Sequence, residues 1–165
     1  MKRDIDRLMQ ERGLSAAVVV QGEYQSPTFR YLTGPRTHLH GIVVWRPGSS
    51  PYLLHHAMER DSAAATGFDL ADYGSVGWMK MLETEGTPVK ATARLIQTVL
   101  DQLGVTGRVL VDGVAQVGWY YHVLNHLREM KRGHFVPGNS TVFWMQPFTI
   151  SGVASRRHSH GQSSS

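Results

Sequence analysis

The sequence of 165 residues contains no cysteine. This absence excludes disulfide frameworks, thiolate metal sites and cysteine nucleophiles, and it is typical of proteins in a reducing compartment. The longest apolar run, residues 16–20, is far shorter than the roughly 20 residues needed to cross a bilayer. Charged side chains continue through Arg7, Glu11 and Arg12, where the apolar core of a signal peptide should lie. We therefore expect a cytoplasmic protein without a membrane segment or a membrane partner.

Motifs of several enzyme classes are also missing. The chain has no Gly-x-Ser-x-Gly nucleophile elbow, no phosphate-binding loop and no dinucleotide-binding glycine pattern. Asp69, Asp72, Asp101 and Asp112 lie in separate predicted elements, and their spacing does not identify an acid–base or metal-binding pair. The composition alone supports no enzymatic activity.

The excess of positive charge is small and scattered. Seventeen Lys and Arg stand against 13 Asp and Glu, a net charge of +4. Two of the positive charges, Arg156 and Arg157, lie near the C-terminus. A nucleic-acid surface needs its basic side chains clustered on one face, so we expect no nucleic-acid partner.

The hydrophobic pattern predicts alternating helices and strands. A helix ends near Gly13, and residues 16–20 form a strand buried on both faces. Residues 41–46 and 51–55 flank Pro-Gly-Ser-Ser, which predicts an antiparallel hairpin. The later predicted elements are a helix at 59–66, a strand at 68–76, a helix between Thr87 and Gly104, a strand at 108–112, a helix at 117–130 and a strand at 134–136. This order predicts an α/β fold, a mixed β-sheet with flanking helices.

Composition changes sharply towards the C-terminus, where serine, glycine, arginine and histidine dominate. Such a segment has too little apolar surface to offset the entropy lost on ordering. We therefore divide the chain into a domain of residues 1–146 and a tail of residues 147–165, which we expect to be disordered.

Nine histidines make a metal site or an active site worth testing. His122 and His126 lie four residues apart on a predicted helix, but Val123 stands where a zincin motif has its glutamate. The pair also lies away from the apolar stripe of that helix, which favours a solvated face. His55 and His56 are neighbours in a strand and face opposite ways, so a shared ligand is not expected.

His38 and His40 lie in a segment rich in glycine and proline that we predict to be a loop. Loops on rigid scaffolds often carry function. Two interpretations remain open: the histidines contact or gate a substrate, or they are only polar residues of a solvated loop.

Several stretches, taken in order, are more informative than any single residue. They are Arg-Tyr-Leu-Thr-Gly at 30–34, the hairpin that follows, Ala-Met-Glu-Arg-Asp-Ser-Ala-Ala at 57–64, Asp-Tyr-Gly at 72–74 and Leu-Gly-Val-Thr-Gly-Arg-Val at 103–109. Together they resemble the N-terminal domain of Xaa-Pro peptidases, the prolidase, aminopeptidase P and creatinase relatives of the M24 metallopeptidase family. The resemblance covers residues 1 to about 146. One departure is Pro-Thr-Phe at 27–29, where an asparagine is frequent in the family.

The resemblance implies a noncatalytic domain. Family members carry a larger pita-bread domain, whose carboxylates and histidine hold two divalent metal ions for hydrolysis of an Xaa-Pro bond. We expect this chain to be without that domain, and we therefore expect no cofactor, no metal site, no catalytic residue and no Xaa-Pro cleavage by the chain alone. The composition change after Pro147 motivates the hypothesis of a truncation or an out-of-frame end.

The resemblance also implies how such a domain contributes to a peptidase. It would take part in subunit association and help to close the active site, with a homodimer or the catalytic domain of a parent peptidase as partner and a proline-containing peptide as the substrate of that parent. Arg36, His38 and His40 are the expected gating residues, with Tyr31 as their support. The alternative is a standalone protein-interaction or oligomerisation module.

Overall fold

In the computed structural model, which describes residues 2–22, 26–34, 39–114, 117–130 and 134–138, six strands form one mixed sheet. The strands are β1 (Ala16–Gln21), β2 (Gly41–Trp45), β3 (Tyr52–His55), β4 (Asp69–Asp72), β5 (Arg108–Val114) and β6 (His134–Pro137). The helices are α1 (Lys2–Glu11), α2 (Pro27–Thr33), α3 (Arg60–Ala64), α4 (Trp78–Glu85), α5 (Pro88–Gln102) and α6 (Val117–Glu129), and a 3-10 turn (Ala57–Glu59) precedes α3. The predicted α/β class, a mixed sheet with flanking helices, is confirmed.

The strand order is β4-β3-β2-β1-β5-β6. Strand β2 runs antiparallel to β1 and β3, whereas the pairs β1–β5, β5–β6 and β3–β4 are parallel. As a result, β1, β3, β4, β5 and β6 all end at the same edge of the sheet, and β2 begins there. We call this the carboxyl edge.

Apolar side chains cover both faces of the sheet. On one face, Val18 and Val20 of β1 pack with the buried side chains of α5 and α6. On the other, Ala17 and Val19 pack with residues of α1, α2 and α3. A strand buried on both faces reads as a continuous apolar run rather than an alternating one, which explains why β1 was recognisable from its sequence.

Local signals also predicted α5 and the hairpin. The Thr87 side chain accepts a hydrogen bond from the Lys90 backbone N–H, and Pro88 occupies the first turn. Both features are favoured at helix starts. Strands β2 and β3 pair antiparallel, as the turn between them predicted.

The sequence did not predict α2 or α4. Helix α2 has only seven residues, too few for a clear periodic stripe, although Ser26 caps it by accepting a hydrogen bond from the Phe29 N–H. Helix α4 has no side-chain cap at Gly77 and no fully buried residue. It therefore lacks the usual start signal, and Trp78 and Met81, which pack against the core, are only partly buried.

Two predictions concern other parts of the chain. The predicted tail, residues 147–165, lies outside the described residues, as does the boundary at residue 146. Within the described ranges, no helix is long and apolar enough to span a bilayer.

Candidate functional site

The carboxyl edge brings polar side chains from distant parts of the sequence into one row. Gln21 of β1 lies opposite Gly41 of β2, Gly41 lies opposite His55 of β3, and His55 lies opposite Asp72 of β4. Side chains of directly opposed residues point to the same face of a sheet. The edge therefore combines amide, imidazole and carboxylate groups, which makes it the candidate functional site.

His40, the residue just before β2, is held by the Glu59 carboxylate. The His40 backbone N–H donates to Oε1 at 3.2 Å and to Oε2 at 3.1 Å, and the ring Nδ1 lies 2.9 Å from Oε1. Because an ionised carboxylate only accepts hydrogen bonds, Nδ1 must carry the proton of this contact. The His40 side chain is 58% exposed and that of Glu59 is 20% exposed, so the imidazole faces solvent while its partner is mostly covered.

Tyr73 packs against two other rings, those of His56 and Trp78. Its ring centroid is 4.9 Å from that of His56 and 6.0 Å from that of Trp78. Burial raises the pKa of the Tyr73 hydroxyl strongly, and the nearby negative charge of Glu59 raises the pKa further. The hydroxyl is therefore neutral at physiological pH, and it adds no charge to the site.

His55 and His56 have separate environments. His55 is 4% exposed, and its Nδ1 lies 2.8 Å from the His56 backbone carbonyl oxygen, which can only accept a hydrogen bond. The His56 ring packs against Tyr73 instead. The two imidazoles do not converge on one point, as their adjacent positions at the end of a strand predict.

Asp72 ends β4 and forms a turn with Ser75. Its Oδ1 accepts a hydrogen bond from the Ser75 N–H at 3.0 Å, and the Ser75 hydroxyl donates to the Asp72 backbone oxygen at 2.7 Å. The Ser75 N–H is the main reason that the pKa of Asp72 is lowered, and the charge of His55 lowers that pKa to a smaller extent. Asp72 is therefore a stable anion.

A second carboxylate at the same edge is buried and structural. Asp112 of β5 is 3% exposed, and its Oδ2 accepts a hydrogen bond from the Thr28 hydroxyl at 3.1 Å. Nearby, the Gln21 side chain accepts a hydrogen bond from the Ser26 N–H at 2.8 Å. These contacts attach the start of α2 to the ends of β1 and β5, and so fix the helix that carries Tyr31.

Of the four residues predicted for gating and its support, the structure describes Tyr31 and His40 but not Arg36 and His38. Tyr31 lies on α2 and is 51% exposed, whereas its neighbours Phe29 and Leu32 are buried, and its supporting role stays a prediction. Arg36 and His38 lie outside the described residues, so their assignment also stays a prediction.

Among the predicted residues, His40 is the one whose partner the structure reveals. Sequence reasoning missed that partner, Glu59, which lies 19 residues further along the chain. Glu59 belongs to the 57–64 stretch that supported the family resemblance, but no local pattern links it to His40.

No group of three or more His, Asp or Glu side chains suited to a metal ion occurs in the described part of the chain. The predicted α6 pair has separate contacts: His126 Nδ1 lies 3.0 Å from Glu129 Oε2, and the exposed His122 meets the Tyr121 ring edge-on.

A shallow cleft of about 290 Å³ lies among α4, α5 and α6. Arg94 pairs there with Glu85 at 2.9 Å, and His126 with Glu129 at 3.0 Å. Opposite charges in this cleft therefore lie close together, and of the predicted site residues that the structure describes, neither Tyr31 nor His40 lines it.

Comparison with known proteins agrees with the fold. Residues 3–144 match the family model described as the creatinase/prolidase N-terminal domain. The chain is similar to solved structures of a dipeptidase from Pyrococcus horikoshii (TM-score 0.52, 20% identity, 86% of this chain and 34% of that chain) and an X-Pro aminopeptidase from Thermotoga maritima (TM-score 0.54, 9% identity, 83% and 33%). It is also similar to a prolidase from Thermococcus sibiricus (TM-score 0.51, 13% identity, 82% and 33%).

At these identities the structural similarity shows the fold alone. The chain spans about a third of the length of the three solved structures. No curated protein matches it.

Proposed function

Because the chain belongs to the creatinase/prolidase N-terminal domain family, we propose that it is the noncatalytic N-terminal domain of an Xaa-Pro peptidase. The match over residues 3–144 carries this proposal. Similarity to about a third of a dipeptidase, a prolidase and an X-Pro aminopeptidase supports it. The two divalent metal ions and the peptide-cleaving residues would lie in the separate pita-bread domain of the parent enzyme, and the site of action would be the cytoplasm.

In this role the carboxyl edge helps to close the active site of the parent enzyme. His40 presents a largely exposed imidazole there and is held from behind by Glu59. A protonated imidazole can form a charge-assisted hydrogen bond with the carboxylate of a proline-containing peptide. Arg36 and His38 would contribute further positive charge from the adjoining segment, with Tyr31 on the helix that precedes it.

Subunit association is the second part of the proposed role. A homodimer would place the carboxyl edge of one subunit beside the catalytic domain of the other, so the same domain would serve assembly and closure. Sedimentation velocity of the purified chain is expected to show a dimer that dissociates on dilution. A monomer at all accessible concentrations would restrict the role to contacts with a catalytic domain.

Sequencing of the complete transcript tests the parentage of the domain. The expected result is a coding region for a pita-bread domain, with its metal-binding carboxylates and histidine, downstream of the codons for this chain. A stop codon directly after Ser165 with no peptidase frame downstream would reject the proposal and favour a standalone interaction module.

A further inference from the structure

We propose that Glu59 is a positioning residue for His40: it holds the Nδ1–H group of the imidazole, so that in the protonated ring the Nε2–H group is the donor that meets a peptide carboxylate. The identity of this ligand rests on the proposed function. The orientation of the ring rests on the structure alone.

The Glu59 carboxylate makes several hydrogen bonds to a single residue, His40. Glu59 accepts from the His40 backbone N–H with both oxygens, at 3.2 and 3.1 Å, and from the ring Nδ1 with Oε1, at 2.9 Å. Backbone and ring are thus held from the same side. Rotation of the imidazole would break the Nδ1 contact while the backbone contacts remain, so the carboxylate selects one orientation of the ring.

The position of the Glu59 carboxylate is itself fixed by its surroundings. Glu59 ends the 3-10 turn, and its N–H donates to the His56 carbonyl oxygen at 2.9 Å. Its side chain is 20% exposed and lies close enough to Tyr73 to raise the pKa of that hydroxyl. In the described ranges, His40 is the sole ion-pair partner of Glu59. The carboxylate is therefore fixed by the fold and committed to one imidazole.

The Nε2 side of the His40 ring remains accessible to a ligand. No residue in the described part of the chain bonds His40 Nε2, and the side chain is 58% exposed. With Nδ1 occupied, a protonated ring can donate only from Nε2. The ligand that this geometry suits is an anion, and within an Xaa-Pro peptidase it is the carboxylate of the peptide.

A second histidine in the chain provides an internal comparison. His126 Nδ1 lies 3.0 Å from Glu129 Oε2, but Glu129 is 70% exposed and both residues lie on the same helix. The Glu129 side chain has no bond to the His126 backbone. The His126 ring should therefore be less strongly fixed than the His40 ring.

The test uses long-range ¹H–¹⁵N correlation of the imidazoles in the 165-residue protein, at a pH where the rings are neutral. His40 is expected in the Nδ1–H tautomer, whereas a free neutral imidazole favours Nε2–H. Glu59→Gln should keep the Nδ1–H form because its amide oxygen still accepts, and Glu59→Ala should change it to Nε2–H. Exchange of the His40 backbone N–H with solvent should become roughly fivefold faster in Glu59→Ala, as for loss of one typical hydrogen bond.

Two matched variants control the measurement. Glu83→Ala removes an exposed carboxylate of α4 and should leave every imidazole signal unchanged. Glu129→Ala should affect His126 and not His40. An Nε2–H tautomer for His40 in the wild-type protein would overturn the inference without any variant, and so would an unchanged His40 tautomer in folded Glu59→Ala.

Kinetic measurements on the parent enzyme distinguish failure of the proposed function from failure of the positioning role. In the complete parent enzyme, Glu59→Ala and His40→Ala are both expected to raise KM for an Xaa-Pro dipeptide by a similar factor, and Glu59→Gln should retain most of the wild-type affinity. If the tautomer responds to Glu59→Ala as expected but His40→Ala leaves KM unchanged, the positioning role stands and the ligand contact is refuted.

Discussion

Two carboxylates at the carboxyl edge of the sheet show how similar groups serve different purposes. Asp112 is almost fully buried, and it holds the Thr28 hydroxyl at the start of α2. Glu59 lies nearer the surface and holds the exposed ring of His40. Burial makes the first contact part of the scaffold. The second is equally defined but leaves the imidazole exposed, which suits the role in active-site closure that we propose for this edge.

The largest expected effect on stability comes from the buried member of this comparison. Asp112→Ala would leave the Thr28 hydroxyl without its partner and open a space between α2 and β5. We expect a loss of about 3 kcal/mol in the free energy of unfolding, measured by urea denaturation. Asp61→Ala, at a side chain that is 98% exposed, should change this free energy by less than about 0.5 kcal/mol. Equal stability of the two variants would contradict a structural role for Asp112.

The next largest effect on stability is expected from an added methyl group at Gly138, which would crowd Asp112. A Cβ at Gly138 would lie 2.6 Å from the Asp112 Cβ and 2.9 Å from the Val111 carbonyl oxygen. Gly138→Ala should therefore lower the free energy of unfolding by about 2 kcal/mol. At Gly118 on α6 an added Cβ meets nothing within 4 Å, so Gly118→Ala should be neutral or slightly stabilising in the same urea experiment. Equal losses in the two variants would show that Asp112 is not tightly enclosed.

Loss of the Thr28 hydroxyl, the donor to Asp112, should cost less stability than loss of the Asp112 carboxylate, the acceptor. Thr28→Val keeps the shape of the side chain but loses its hydrogen bond to Asp112, which should cost about 1.5 kcal/mol of unfolding free energy. Thr98→Val is the matched control, because its hydroxyl bonds only the Arg94 carbonyl oxygen on the exposed side of α5. A smaller loss of unfolding free energy for Thr28→Val than for Thr98→Val would show that the Thr28–Asp112 hydrogen bond does not stabilise the carboxyl edge.

The smallest effect concerns the pH dependence of Asp72. Its pKa is lower in the folded protein than in the unfolded chain, mainly because the Ser75 N–H bonds the ionised carboxylate. The folded state therefore gains stability above the unfolded pKa of about 4, and this gain is lost as the pH falls through the lowered pKa of Asp72. Asp72→Asn should be less stable than wild type at neutral pH, with the difference shrinking as the solution is acidified. A difference independent of pH would refute the assignment.

Local sequence signals predicted most of the fold. The apolar run of β1, the turn between β2 and β3, and the Thr-Pro start of α5 each depend on residues close together in the chain, so their patterns could be recognised directly. Helix α2 was too short for its periodicity to be clear, and α4 buries no residue completely. Helix α2 was therefore missed because of its length, and α4 because it has no capping side chain and only partly buried apolar residues.

The candidate site was less predictable, because its contacts depend on strand order. Thr28 and Asp112 are 84 residues apart, and His40 and Glu59 are 19 apart. Spacing within one helix or strand carries no information about such pairs. The sequence could identify His40 by its position after Tyr-Leu-Thr-Gly, but its partner became evident only once β2 and β3 were placed side by side.

The most direct test of the central claim, that this domain is a noncatalytic part of an Xaa-Pro peptidase, is hydrolysis of an Xaa-Pro dipeptide by the purified 165-residue protein with added Mn²⁺. We expect no cleavage above that of buffer containing the same metal. Cleavage that requires the metal, disappears with a chelator and copurifies with the folded protein would contradict it.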